Sequence, residues 1–161
     1  MINRRQIFQA AAVAVPAAAL GQQVEWKPLT LDAHQNQTVV VLSDLIIPAT
    51  DTPGAKDANV NRYIDLFLTD GSEADRNRFL EGLGQLDGYS VRKFGKTFID
   101  ATKDQQITIL KEFSAGTAGK PSQNFFTQAK MLTSRIYYNT AIGFRELNKG
   151  GRVPRTFACK V

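Results

Sequence analysis

The chain has 161 residues, 43% hydrophobic and 22% charged, a composition that fits one modest folded domain with a real core. Its charge of +5 falls to +3 beyond residue 20, because Arg4 and Arg5 are the only charges before that point, and this scattered excess excludes a phosphate clamp, which needs a dense basic stripe interleaved with aromatics. A single cysteine, Cys159, and a single histidine, His34, exclude an internal disulfide, a zinc or iron–sulfur site built by this chain alone, and many nucleophilic chemistries.

The N-terminus reads as an address. Arg4 and Arg5, with Ile7 and Phe8 behind them, precede the Ala/Val-rich run Ala10 to Leu20, which is the pattern of a twin-arginine export signal. The run is too short and too rich in alanine for a permanent bilayer span of about 20 residues. Small residues at Ala17-Ala18-Ala19 provide a cleavage site after Ala19, and no cysteine follows to make a lipoprotein. Residues 1–20 are therefore assigned to the signal and residues 21–161 to one helical domain, exported to the periplasm. That route carries proteins already folded, often with a partner attached.

In the first segment, Thr30 to Ile47, Thr30 is the expected N-cap, and Val39, Leu42, Leu45 and Ile46 fit one helical face. The Val39-Val40-Val41 run and Ile46-Ile47 favour strand by propensity, so both assignments stay open. Pro48 ends the element either way. A loop dense in turn-makers follows, with Pro48, Asp51, Pro53, Gly54, Asp57 and Asn59. Asn59 is the expected cap of a helix in which Val60, Tyr63, Ile64, Phe67 and Leu68 form the core face.

Ser72 caps a long third helix with Glu73 and Asp75 in its first turn and Phe79, Leu83, Leu86, Val91 and Phe94 as its stripe. Gly82, Gly84 and Gly88 each cost about 1 kcal/mol relative to Ala there, and close helix packing accounts for them better than a ligand site does. Thr102 and Gln105 form a capping box before Ile107, Leu110 and Phe113. Gly116 and Gly119 end that helix, and Pro121-Ser122 opens a last one carrying Phe125, Ala129, Leu132 and Ile136. From Gly143 to Val161 the tail reads as extended or irregular. The expected fold is all-α: a small irregular bundle of about five helices with an irregular C-terminal tail.

Chemical motifs are scarce. Gly82, Gly84 and Gly88 have the wrong spacing and no preceding strand for a dinucleotide loop. Asp51, Asp57, Asp65 and Asp70 match no calcium loop, and turn and cap duties account for them. His34, without a second ligand, reads as a surface residue. Ser43 and Ser90 lack a nucleophile elbow. Two features stand out. The Tyr137-Tyr138 pair closes the last helix, where it either caps the core or meets a partner. Cys159, odd in an exported chain and near its terminus, is a candidate for an intermolecular disulfide or a free thiol.

The stretch Leu42-Ser-Asp-Leu-Ile-Ile-Pro-Ala-Thr-Asp-Thr-Pro-Gly-Ala55, followed by Val60-Asn-Arg-Tyr-Ile-Asp65, resembles the opening of the gluconate 2-dehydrogenase subunit 3 family. Tyr137-Tyr138, Gly143, Gly151 and a cysteine near the end match that family's C-terminal part, and the leader is typical of it. The resemblance implies a small accessory subunit without cofactor of its own. Its partner would be a large dehydrogenase of the glucose–methanol–choline type, holding flavin adenine dinucleotide (FAD), often joined by a cytochrome c subunit with haem c. The small subunit would aid folding, assembly and twin-arginine export of the large one. On this reading Pro48, Asp51, Pro53 and Gly54, together with Tyr137, Tyr138 and the tail beyond, are the expected partner contacts. The alternative is an autonomous periplasmic module binding a ligand between its helices. An independent enzyme is the weakest reading.

Overall fold

Asp32, not Thr30, opens the first helix. Its carboxylate accepts the Gln35 amide at 2.8 Å while its own amide donates to the Gln35 side chain at 3.0 Å, a capping box that starts α1, Ala33–Ile46. The valine run inside α1 is helical despite its strand propensity, because Val39 and Leu42 become fully buried on one face. The computed structural model describes residues 26–150, in which α1 is followed by α2 (Val60–Asp70), α3 (Glu73–Phe94), α4 (Lys103–Ala115), α5 (Lys120–Asn139), α6 (Ala141–Leu147) and a 3-10 turn, Asn148–Gly150. No strand occurs among the described residues.

Ser72 and Thr102 cap α3 and α4 as their sequences dictate, and Gly116 closes α4. Asn59 departs from expectation: it sits in the left-handed region at φ 52° and its side chain makes no capping bond. The backbone starts α2 instead, with the Val60 amide donating to the Ala55 carbonyl at 3.1 Å.

Helix α5 is the axis of the bundle and packs against each of the other five. Around it the core is aromatic. Phe79, Phe98 and Phe113 are wholly buried, and Phe79 meets Phe125 edge-on at 5.5 Å between ring centres. That contact depends on Gly82, where a Cβ would lie 2.0 Å from the Phe125 ring. The small residue in α3 is thus a packing device.

The tail differs from its sequence reading, since Gly143 to Leu147 belong to a sixth helix. Gly143 reads as a breaker but serves as a contact point: a Cβ there would stand 2.1 Å from the Tyr137 carbonyl oxygen, so only glycine lets α6 turn back tightly on the end of α5. Thr140 caps α6 through the Gly143 amide.

Asp65 has a duty beyond turns and caps. It is wholly buried on α2, and its two oxygens accept the amides of Leu29, Thr30 and Leu31 at 2.7, 3.0 and 2.8 Å. Thr30 and Thr69 pair through their hydroxyls at 2.8 Å beside it, and Arg62 stacks over Trp26. The segment before α1 is therefore strapped along α2 by a buried carboxylate whose charge is met by three backbone donors.

Candidate functional site

The loop between α1 and α2 is held in one shape from three sides. At its base the Ala55 amide donates to the Ile47 carbonyl at 2.9 Å, which closes the loop on the end of α1. Gly54 is buried in that closure, where a Cβ would lie 2.5 Å from the Ala49 nitrogen and 2.8 Å from the Ile47 oxygen. Its amide donates to the Asp57 carboxylate at 2.8 Å. From below, the Tyr137 hydroxyl donates to the Pro53 carbonyl at 2.7 Å. What remains outside is the crest: Pro48, Ala49, Thr50, Asp51 and Pro53 are exposed.

Asp51 accepts a bond from the Thr50 hydroxyl at 2.9 Å. That bond, the backbone amide of Asp51 itself and the ammonium of Lys149 hold its carboxyl below the usual carboxylate range. Lys149 belongs to the 3-10 turn after α6, so the end of the described chain lies near this loop, and Glu146 pairs with the same ammonium at 2.6 Å.

The two tyrosines divide their work. Tyr137 is 2% exposed, and its burial, followed by the negative charge of Glu146, raises its phenol above the ordinary value. It supports the loop and offers no face to another molecule. Tyr138 is 42% exposed and meets the Tyr137 ring edge-on at 5.2 Å. The structure therefore brings Pro53, Gly54 and Tyr137 together and leaves Pro48, Asp51 and Tyr138 at the surface. Arg4, Arg5 and Cys159 lie outside the described residues.

Other polar residues have structural posts. His34 is exposed as expected and bonds Asp87 at 2.6 Å, while the other Asp87 oxygen accepts the Phe98 amide at 2.9 Å, tying α1 to α3 and to the turn before α4. Ser43 donates to the Val40 carbonyl. Among the described residues no three His, Cys, Asp or Glu side chains group as metal ligands, and no helix is long and apolar enough to cross a membrane.

One surface escaped the sequence reading. Tyr63 and Phe67, assigned above to the core, are 50% and 45% exposed, and Leu66 beside them is 41% exposed. Only Val60, Ile64 and Leu68 point inward, accompanied by the polar Asn61 and Asp65. A signal was available. Apolar residues at six of the eleven positions of α2, spread around the helix, exceed what one buried stripe can absorb.

A helical bundle that projects a rigidly braced loop, with an apolar helix face uncovered beside it, has the character of a subunit. The chain matches the family model described as gluconate 2-dehydrogenase subunit 3 over residues 33–151, most of its length, and it belongs to that family. No curated protein and no solved structure matches it.

Proposed function

We propose that this chain is the non-catalytic small subunit of an exported dehydrogenase of the glucose–methanol–choline type, which oxidises a sugar or sugar acid with FAD held in the large subunit. The chain supplies the twin-arginine signal at Arg4 and Arg5, helps the large subunit fold and assemble, and accompanies it to the periplasm. A cytochrome c subunit carrying haem c would complete the complex. Membership of a family named as a subunit of a dehydrogenase supports this reading. The observation that carries it is the Ile47–Ala55 loop, whose crest is held rigid by Gly54 and Tyr137 and so is ready to dock without ordering cost. The crest, Tyr138 and the residues up to Val161 are the contacts, and Cys159 is the candidate for a bridge to the large subunit.

The test is an affinity pull-down of the tagged chain from periplasm, with a flavin absorbance scan and gels run with and without reductant. A large yellow protein should accompany the chain. A heavier non-reduced band that disappears in Cys159→Ser assigns the bridge. A large subunit that folds, binds flavin and reaches the periplasm unchanged in a strain lacking this chain would sink the proposal. A colourless monomer that binds a small ligand by itself would replace it with the autonomous module.

A further inference from the structure

The exposed face of α2 forms one wall of a groove of about 440 Å³, whose other wall is the C-terminal half of α5 and the start of α6. Tyr63, Leu66 and Phe67 face Leu132 and Ile136 across it. Asp70 stands on the α2 wall and Arg135 on the α5 wall, and among the described residues neither has an ion-pair partner. Three large apolar side chains left half exposed, flanked by charges of opposite sign that have no ion-pair partner among the described residues, have the make-up of a docking surface.

The groove also adjoins the contacts proposed above. Thr140 and Ala141 form its end, Tyr138 is three residues beyond Arg135 on α5 and so one turn along the same side, and α6 leads from there to Lys149, whose charge acts on Asp51 of the loop crest. Both walls are helices with internally satisfied backbones. They offer no strand edge for an extended segment to pair with, and an apolar groove between two helices suits an amphipathic helix, whose main chain is satisfied internally.

Resting on the reading of this chain as a dehydrogenase subunit, we propose that the groove seats an amphipathic helix of the large flavoprotein subunit. The helix places apolar residues against Tyr63, Leu66 and Phe67, with an acidic side chain for Arg135 and a basic one for Asp70.

The experiment co-expresses the full-length chain with a tagged large subunit and measures the amount retained under reducing conditions, so that a Cys159 bridge cannot hold the pair. The Tyr63→Ser/Phe67→Ser double variant should be retained about thirtyfold less well, as befits loss of hot-spot aromatics. Arg135→Glu should reduce retention about tenfold. The Val91→Ser variant, which removes a comparably exposed apolar group on α3, outside the groove lining, should match the unaltered chain. Circular dichroism and melting of each chain alone establish that it is folded. Independently, amide exchange along Tyr63–Asp70 should slow in the complex. If the unaltered chain retains no large subunit, the functional reading itself fails. If it is retained and the groove variants are retained equally, with no slowing in α2, only the groove assignment is overturned. A chain that dimerises alone, and ceases to in the double variant, assigns the groove to a second copy and overturns the proposal as well.

Discussion

The Tyr137 hydroxyl reaches across 84 residues of sequence to donate to the carbonyl oxygen of Pro53 at 2.7 Å. It joins the end of the central helix to the loop that follows α1, two stretches that sequence alone marks as separate features. The bond is made from beneath, by a side chain 2% exposed, so the crest of the loop stays open while its backbone is fixed.

Removing that bond should loosen the loop without disturbing the core. Tyr137→Phe keeps the ring and its edge contact with Tyr138 but leaves the Pro53 carbonyl without its donor. A loss of about 1 kcal/mol is expected in urea unfolding. Amide exchange should quicken in the loop, and retention by the large subunit should fall although Tyr137 itself is buried.

The glycines of α3 should respond in opposite directions. Gly84→Ala meets nothing within 4 Å and should stabilise the chain by about 0.5–1 kcal/mol through helix propensity. Gly82→Ala gains the same propensity but drives a methyl group into Phe125, at a cost of about 1–3 kcal/mol, and should be destabilising overall. Melting temperatures of the two variants, measured side by side, decide it. Equal shifts would show that Phe125 can yield.

Asp65 should be hard to replace. Asp65→Ala strands the amides of Leu29, Thr30 and Leu31 beside a buried hole, and a loss of roughly 3 kcal/mol or more is expected. Asp65→Asn keeps the shape but turns an amide group towards three donors, and should recover only part of it. Chemical denaturation measures both, and amide exchange at Leu29 to Leu31 locates the effect.

Acid should act in part through Glu112. The Lys93 ammonium, and then the Tyr89 hydroxyl at 2.8 Å, hold this carboxyl below its ordinary value of 4.5. A depressed folded-state pKa adds stability above the unfolded value, and that stability disappears as pH falls through the folded one. Between neutral pH and about pH 3, the Glu112→Gln variant should therefore lose less stability than the unaltered chain. Parallel unfolding curves in chloride buffers of constant ionic strength would show this, and coincident pH dependences would contradict it.

Much of the fold was legible because its signals are local. The Ser72 cap and the Thr102–Gln105 box sit within one turn of the amides they bind, so residue identity and spacing suffice to locate α3 and α4. The loop from Pro48 to Asn59 was equally plain from its turn residues. Legibility failed where one residue type serves two purposes. Gly143 reads as a helix breaker from its own conformational freedom, yet it lies inside α6 because the Tyr137 carbonyl leaves no room for a Cβ. Thr30 reads as a cap, yet Asp32 takes that post: its carboxylate accepts the Gln35 amide, while the Thr30 hydroxyl is paired with Thr69.

The sequence by itself determined the helical class, the position of the turn-rich loop and the family, since each rests on composition, on spacing or on a contiguous motif. Only the tertiary structure decided which apolar residues face inward. The same periodicity that buries Ile64 and Leu68 would equally bury Tyr63 and Phe67, but the inner side of α2 is taken by Asp65 and the strap it holds, and the outer residues are left on the groove beside α5. Pattern records that a helix has apolar residues to cover. Which of them its own chain covers depends on neighbours dozens of residues away.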